Sequence, residues 1–162
     1  MNNNISDIVE SVVKKIAESN ADLSLFVAKK VASEVESEAE RIKVNAVVAI
    51  FNKAARPVLV ECMEESFVAS YDIAVNKAYT SAALKMSTAE LKKLANPGGP
   101  LYGVQNTNRG KIVIFGGGDP LKIGGKTVGA IGVSGGTEDE DTYLSDFGRK
   151  AFDRIIAEKG MA

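Results

Sequence analysis

Nine of the fifteen glycines in this chain fall within Phe115–Gly136, FGGGDPLKIGGKTVGAIGVSGG. They interrupt two β-branched runs, Ile112–Phe115 and Thr127–Val133. Glycine at such positions either supplies a positive φ or lets another backbone or a ligand come close. The pattern predicts a turn, a short strand, a Gly124-Gly125 hairpin and a long strand. Two nucleotide motifs can be tested on it. A Walker A loop needs Gly, four residues, then Gly-Lys-Thr. Gly125-Lys126-Thr127 is present, but the first Gly would fall where Pro120 stands. A dinucleotide fingerprint lies between a strand and a helix. Gly129-Ala130-Ile131-Gly132 lies inside the predicted strand, so that template misses as well. Close backbone packing in a β-meander is the simpler use of these glycines.

The rest of the composition narrows the chemistry. A chain of 162 residues with 45% hydrophobic content makes one globular domain with a real core. Net charge is −1, aromatics are 6%, and no basic stripe is visible, which argues against nucleic-acid binding. The longest apolar run, Ala46–Phe51, is too short to span a bilayer. The N-terminus has no cationic start followed by an apolar core, so no signal peptide is expected. Cys62 is the single cysteine, which fits a reducing cytoplasm. There is no histidine. That removes Ser-His-Asp and Cys-His nucleophile systems, imidazole acid–base catalysis and the usual zinc sites.

Residues 1–18 read as a separate amphipathic helix. Ile5, Ile8, Val9, Val12, Val13 and Ile16 form one apolar stripe, with Asp7, Glu10, Lys14, Lys15 and Glu18 off it. So short a helix is marginal alone, and its stripe must dock on something. That partner is its own domain, a neighbouring subunit, or another protein's groove. A polar linker, residues 19–22, separates it from a domain over 23–160. In that domain Ser24 caps a helix whose apolar seam is Leu25, Ala28, Ala32, Val35, Ala39 and Ile42. Ala46–Phe51 and Val58–Cys62 form a hairpin about Asn52–Arg56. Residues 70–85 form a helix rich in small residues, in which Lys77 shares the inward side with Ala74, Ala78 and Ser81. Lys77 is either a snorkelling stem with an exposed head or an ammonium at a pocket for an anionic ligand. Ser87-Thr88-Ala89-Glu90 opens a short helix to Ala95, and Asn96-Pro97-Gly98-Gly99-Pro100 ends it. Lys111–Phe115 is expected as the third strand, followed by the two of the glycine stretch. Thr137-Glu138-Asp139-Glu140 opens the last helix, which buries Leu144, Phe147, Ala151 and Ile155. The acids 138–141 lack the spacing and central glycine of a calcium loop. The order predicts an α+β domain: an antiparallel sheet with the long first and last helices on one face.

Three motifs then carry a resemblance: Pro97–Gly103 (PGGPLYG), Phe115–Leu121 (FGGGDPL), and Gly129–Thr137 (GAIGVSGGT) with Asp141. With Glu65–Val68 and Asp72–Ala78 they resemble the GlcG/HbpS family of haem-degrading or haem-binding domains. That family also supplies the C-terminal domain of PduO-type corrinoid adenosyltransferases. The likeness spans roughly residues 23–158. It implies a profilin-like fold, a five-stranded antiparallel sheet flanked by helices, and homo-oligomers from dimer to octamer. It implies haem as ligand, with a corrinoid link, and kinship to PduO-like proteins of diol and glycerol dehydratase systems, such as propanediol utilization. The adenosyltransferase bundle of PduO has no match here, so cobalamin adenosylation is not expected. The stripe over 1–18 resembles encapsulation peptides that carry cargo into bacterial microcompartments.

The resemblance places a tetrapyrrole in an apolar cleft. Its carboxylates would meet Lys77 and the backbone N–H groups of Gly117 and Gly118, with Ser134 in the same pocket. Without histidine, the iron ligand would be Met63 or Tyr102, with Lys77 and Cys62 as further substitutes; the alternatives are binding without an axial ligand, or a different ligand altogether. The reading is a non-catalytic haem- or corrinoid-binding accessory protein in the cytoplasm, in a microcompartment lumen, meeting shell or cargo proteins through residues 1–18. The alternatives are a small-metabolite enzyme using Lys77 and Ser134, and an oligomeric adaptor.

Overall fold

The computed structural model of the protein describes residues 6–12 and 23–158. A short helical run, α1, covers residues 6–12 and exposes Ile8, Val9 and Val12. The rest of the predicted stripe, Ile5, Val13 and Ile16, and the expected linker 19–22 lie outside the described residues.

The domain has three layers. Its middle layer is a four-stranded antiparallel sheet in the order β2-β1-β4-β3. The strands are β1 (Val47–Asn52), β2 (Pro57–Cys62), β3 (Gly118–Ile123) and β4 (Lys126–Ser134). Helices α2 (Leu25–Arg41) and α5 (Glu138–Glu158) cover one face, and α3 (Val68–Leu84) covers the other. A short α4 (Thr88–Ala95) follows α3. β1 is apolar almost throughout because both of its faces are buried. Val48 and Ile50 join the α2/α5 core, while Val47, Ala49 and Phe51 join the α3 core.

The helix starts follow from their caps. Ser24 Oγ accepts the Val27 N–H at 3.3 Å. Ser87 and Glu90 form the expected capping box, and Thr137 and Glu140 make the same reciprocal pair. α2 departs from the predicted seam. Val27, Ala28, Val31, Ala32, Val35 and Ala39 are buried, while Leu25 is exposed. The buried stripe is wider than a 3-4 seam because α2 packs on a sheet and a second helix at once.

The five-strand expectation is corrected to four. Lys111–Phe115 does not join the sheet. Val113 donates its N–H to Thr80 Oγ1 at 3.0 Å, and the Thr80 hydroxyl donates to Asn76 O at 2.7 Å. A side chain of α3 thus satisfies backbone that a neighbouring strand would otherwise pair. The β-branched run is held as an extended strap across α3, and pairing begins at Gly118.

Gly132 explains how close α3 lies to the sheet. A Cβ there would sit 2.2 Å from Ala74 O and 2.5 Å from Ala78 N. Ala74, Ala78 and Ala82, all buried, complete this contact. The small residues of α3 and the glycines of β4 are therefore two halves of one packing solution.

Candidate functional site

Lys77 stands at the centre of the glycine stretch and is completely buried. Its ammonium donates to Asp141 Oδ2 at 2.7 Å and to Val133 O at 2.9 Å. It lies 4.9 Å from the centroid of the Phe115 ring. Asp141 Oδ1 accepts the N–H groups of Gly135 at 3.0 Å and Gly136 at 2.9 Å. Burial pushes the Lys77 ammonium below its ordinary value and the Asp141 carboxyl above its own, each opposed by the other's charge. Their mutual hydrogen bond, three backbone partners and an aromatic face hold the charges against that desolvation.

Gly117 makes this arrangement possible. Its φ is +110°, and a Cβ would meet Lys77 Nζ at 2.6 Å and Val133 O at 2.8 Å. Val133 donates its N–H to Gly117 O at 2.8 Å, which ties the turn to β4. Around it, Gly118 donates to Thr88 Oγ1 at 3.0 Å and Gly116 to Glu138 Oε1 at 2.9 Å. Glu138 in turn pairs with Lys92 at 2.7 Å.

The predicted ligand-binding residues therefore separate. Lys77, Gly117, Gly118 and Ser134 come together, but as a fold junction. The Lys77 ammonium is neither an exposed head nor a pocket cation, because Asp141 neutralises it inside the protein. The Gly118 N–H is bonded to Thr88, and Ser134 Oγ faces Ser70 Oγ at 3.4 Å. Met63 is half-buried against the α2/α5 core, and its Sδ accepts the Ala46 N–H at 3.4 Å. Tyr102 is on the loop after α4, 66% exposed. Cys62 is exposed at the end of edge strand β2. Among the described residues no His, Cys, Asp or Glu cluster is arranged to hold a metal ion.

Sequence reasoning missed two features. Asp141 was in view only as part of a motif, and a partner 64 positions from Lys77 leaves no local signal. The outer side of α3 was also passed over. Val68, Tyr71, Val75 and Tyr79 recur at helical spacing there, and Val68 is 94% exposed. That spacing was readable.

A groove of about 430 Å³ lies between α4, β3 and α5, lined by Ser87, Glu90, Asp119, Lys122, Arg149 and Asp153. At its floor Ser145 donates to Asp119 Oδ2 at 2.6 Å, and burial pushes the Asp119 carboxyl up. Pro120 adds an apolar patch to this otherwise polar and charged lining.

Comparison with known proteins places this geometry. The family model described as "Haem degrading protein HbpS-like" matches residues 23–148. An uncharacterized 15.0 kDa protein from the dhaT–dhaS intergenic region of Citrobacter freundii is 42% identical over 135 residues, covering 83% of this chain and 95% of that protein. The corrinoid adenosyltransferase PduO of Citrobacter freundii is 33% identical over 108 residues, 67% of this chain but only 32% of that protein's length. A crystal structure of a PduOC–haem complex superposes with a TM-score of 0.78 at 30% identity, covering 81% of this chain and 95% of that one.

Proposed function

Because the chain belongs to the HbpS-like family of haem-degrading proteins, we propose that it is a tetrapyrrole-binding accessory protein with haem as its ligand. The observation that carries this reading is the likeness to PduOC, whose structure is a haem complex and which this chain covers almost end to end. The chain has no histidine, so any haem-iron ligand it supplies is another side chain. Tyr102 suits the role best: its side chain is exposed, and tyrosinate is an established haem ligand. Met63 is the second candidate, although its sulfur would have to leave the Ala46 N–H. Lys77 would have to leave Asp141, a far larger rearrangement.

Titration of the purified protein with haemin is expected to give a saturable Soret change. Replacing Tyr102 with Phe should alter that spectrum more than replacing Met63 with Leu. Absence of saturation would end the haem reading. A parallel titration with cobalamin tests the corrinoid.

The proposal extends to cellular setting. Residues 1–18 would carry the protein into a bacterial microcompartment as cargo, where it serves cofactor supply. Ile8, Val9 and Val12 are exposed on α1, which supports docking of an apolar stripe in a partner's groove. A fluorescent protein bearing residues 1–20 should form foci in shell-producing cells, and uniformly diffuse fluorescence would count against the idea. Among the described residues no helix is long and apolar enough to cross a membrane.

A further inference from the structure

We propose that the apolar stripe of α1 folds back, reversibly, into a groove on its own domain, between the first half of α2 and the C-terminal turns of α5. The contact is independent of the haem reading. It bears on the cargo reading, because one stripe cannot fill this groove and a partner's at the same time.

The groove measures about 530 Å³, and its lining includes Phe26, Lys29, Lys30, Arg154, Ile155 and Glu158. Phe26 is 57% exposed, and Lys30 Nζ lies 4.9 Å from the centroid of its ring. The ring and the lysine stems make an apolar bed with a cationic rim. The matching half is on α1. Ile8, Val9 and Val12 fall on one face of that helix, and each is about half exposed. One chain thus carries two uncovered apolar surfaces.

Charge fits the two together. Residues 6–12 hold Asp7 and Glu10 and no cation. The groove holds Lys29, Lys30 and Arg154 against Glu34 and Glu158. Arg154 is already paired with Glu34, which leaves Lys29 and Lys30 to meet the acids of α1.

Connectivity fixes the occupant. The described chain leaves α1 at Val12 and resumes at Leu23, three residues before Phe26. The ten residues between, 13–22, reach at most about 35 Å when fully extended. A tether of that length holds α1 at roughly millimolar concentration around the groove. A short helix is marginal alone and binds weakly. That concentration is enough to seat it and too little to lock it, so a partner with a deeper groove displaces it.

The test uses the full chain with the exposed Cys62 replaced by Ser, and no other protein. V9C/S33C puts one thiol on the stripe and one on the groove wall. Under mild oxidation it should close a disulfide within the chain about tenfold faster than V9C/K126C, whose thiols meet only through the tether. Lys126 is a fair control within reach of α1: it stands three residues from Gly129, which abuts Leu23. All three positions are exposed, so folding is not at risk. K29E/K30E should slow the V9C/S33C closure about fivefold, the size expected from two exposed charge contacts. Adding D7K/E10K should restore the rate. Equal rates for the two thiol pairs overturn the proposal. So does a failure of the charge swap to restore closure. Disulfide-linked dimers in place of closed monomers show that the groove takes α1 from a second copy, which overturns it as well. No shell protein is present, so the result stands apart from the fate of the cargo reading.

Discussion

Replacing Lys77 with Met is expected to cost about 3–5 kcal/mol of folding stability, because it leaves the Asp141 carboxylate buried without its cation. Asp141→Asn should cost a similar amount by stranding the ammonium, even though an amide oxygen still accepts from Gly135 and Gly136. The double variant Lys77→Met/Asp141→Asn removes both charges and should cost well under the sum of the two single changes. Urea denaturation of the four proteins measures this. Additive losses would show that the two side chains are not coupled, despite a 2.7 Å contact with side-chain exposures of 0% and 5%. The pair joins the middle of α3 to the first turn of α5, so the cost reflects a joint between two layers of the domain.

The second large effect is steric. Gly132→Ala should cost about 3 kcal/mol, the upper range for overpacking. The added methyl would meet backbone, Ala74 O at 2.2 Å and Ala78 N at 2.5 Å, and neither can rotate away. Relief requires α3 to lift from β4. Gly125→Ala is the matched control. Nothing lies within 4 Å of a Cβ there, and only its φ of +76° opposes the change, roughly 1–2 kcal/mol. Equal melting temperatures for the two variants would mean that α3 does not lie as close to the sheet as described.

These two cases also show what the sequence makes legible. The glycine stretch could be read as close packing, because nucleotide loops demand spacings that Pro120 and the β4 interior violate. The hairpins, both capping boxes and the two-helix face follow from local rules, and they hold. Lys111–Phe115 misled because β propensity describes a fit to a pleated surface, and this run finds Thr80 instead of a strand. Lys77 stands out by spacing, on the inward side of α3 with Ala74, Ala78 and Ser81. Its role was hidden because the group that neutralises it is remote in the chain and stands next to a capping box that already accounted for local acidity. The α3 stripe was visible by spacing, yet exposure on one side of a helix is settled only once the other side is known to be buried.

The pairing of β1 with β4 has a bearing on how the chain is made. Val47 aligns with Ser134, so the central ladder joins the first third of the polypeptide to its last third. Local contacts close the β1–β2 hairpin early, but β1 keeps an open apolar edge until β4 arrives. Ladders of such long sequence separation form slowly. During synthesis the α3 helix waits without Asp141 and without the glycine floor beneath it. Chains interrupted before β4 are therefore expected to aggregate or be degraded.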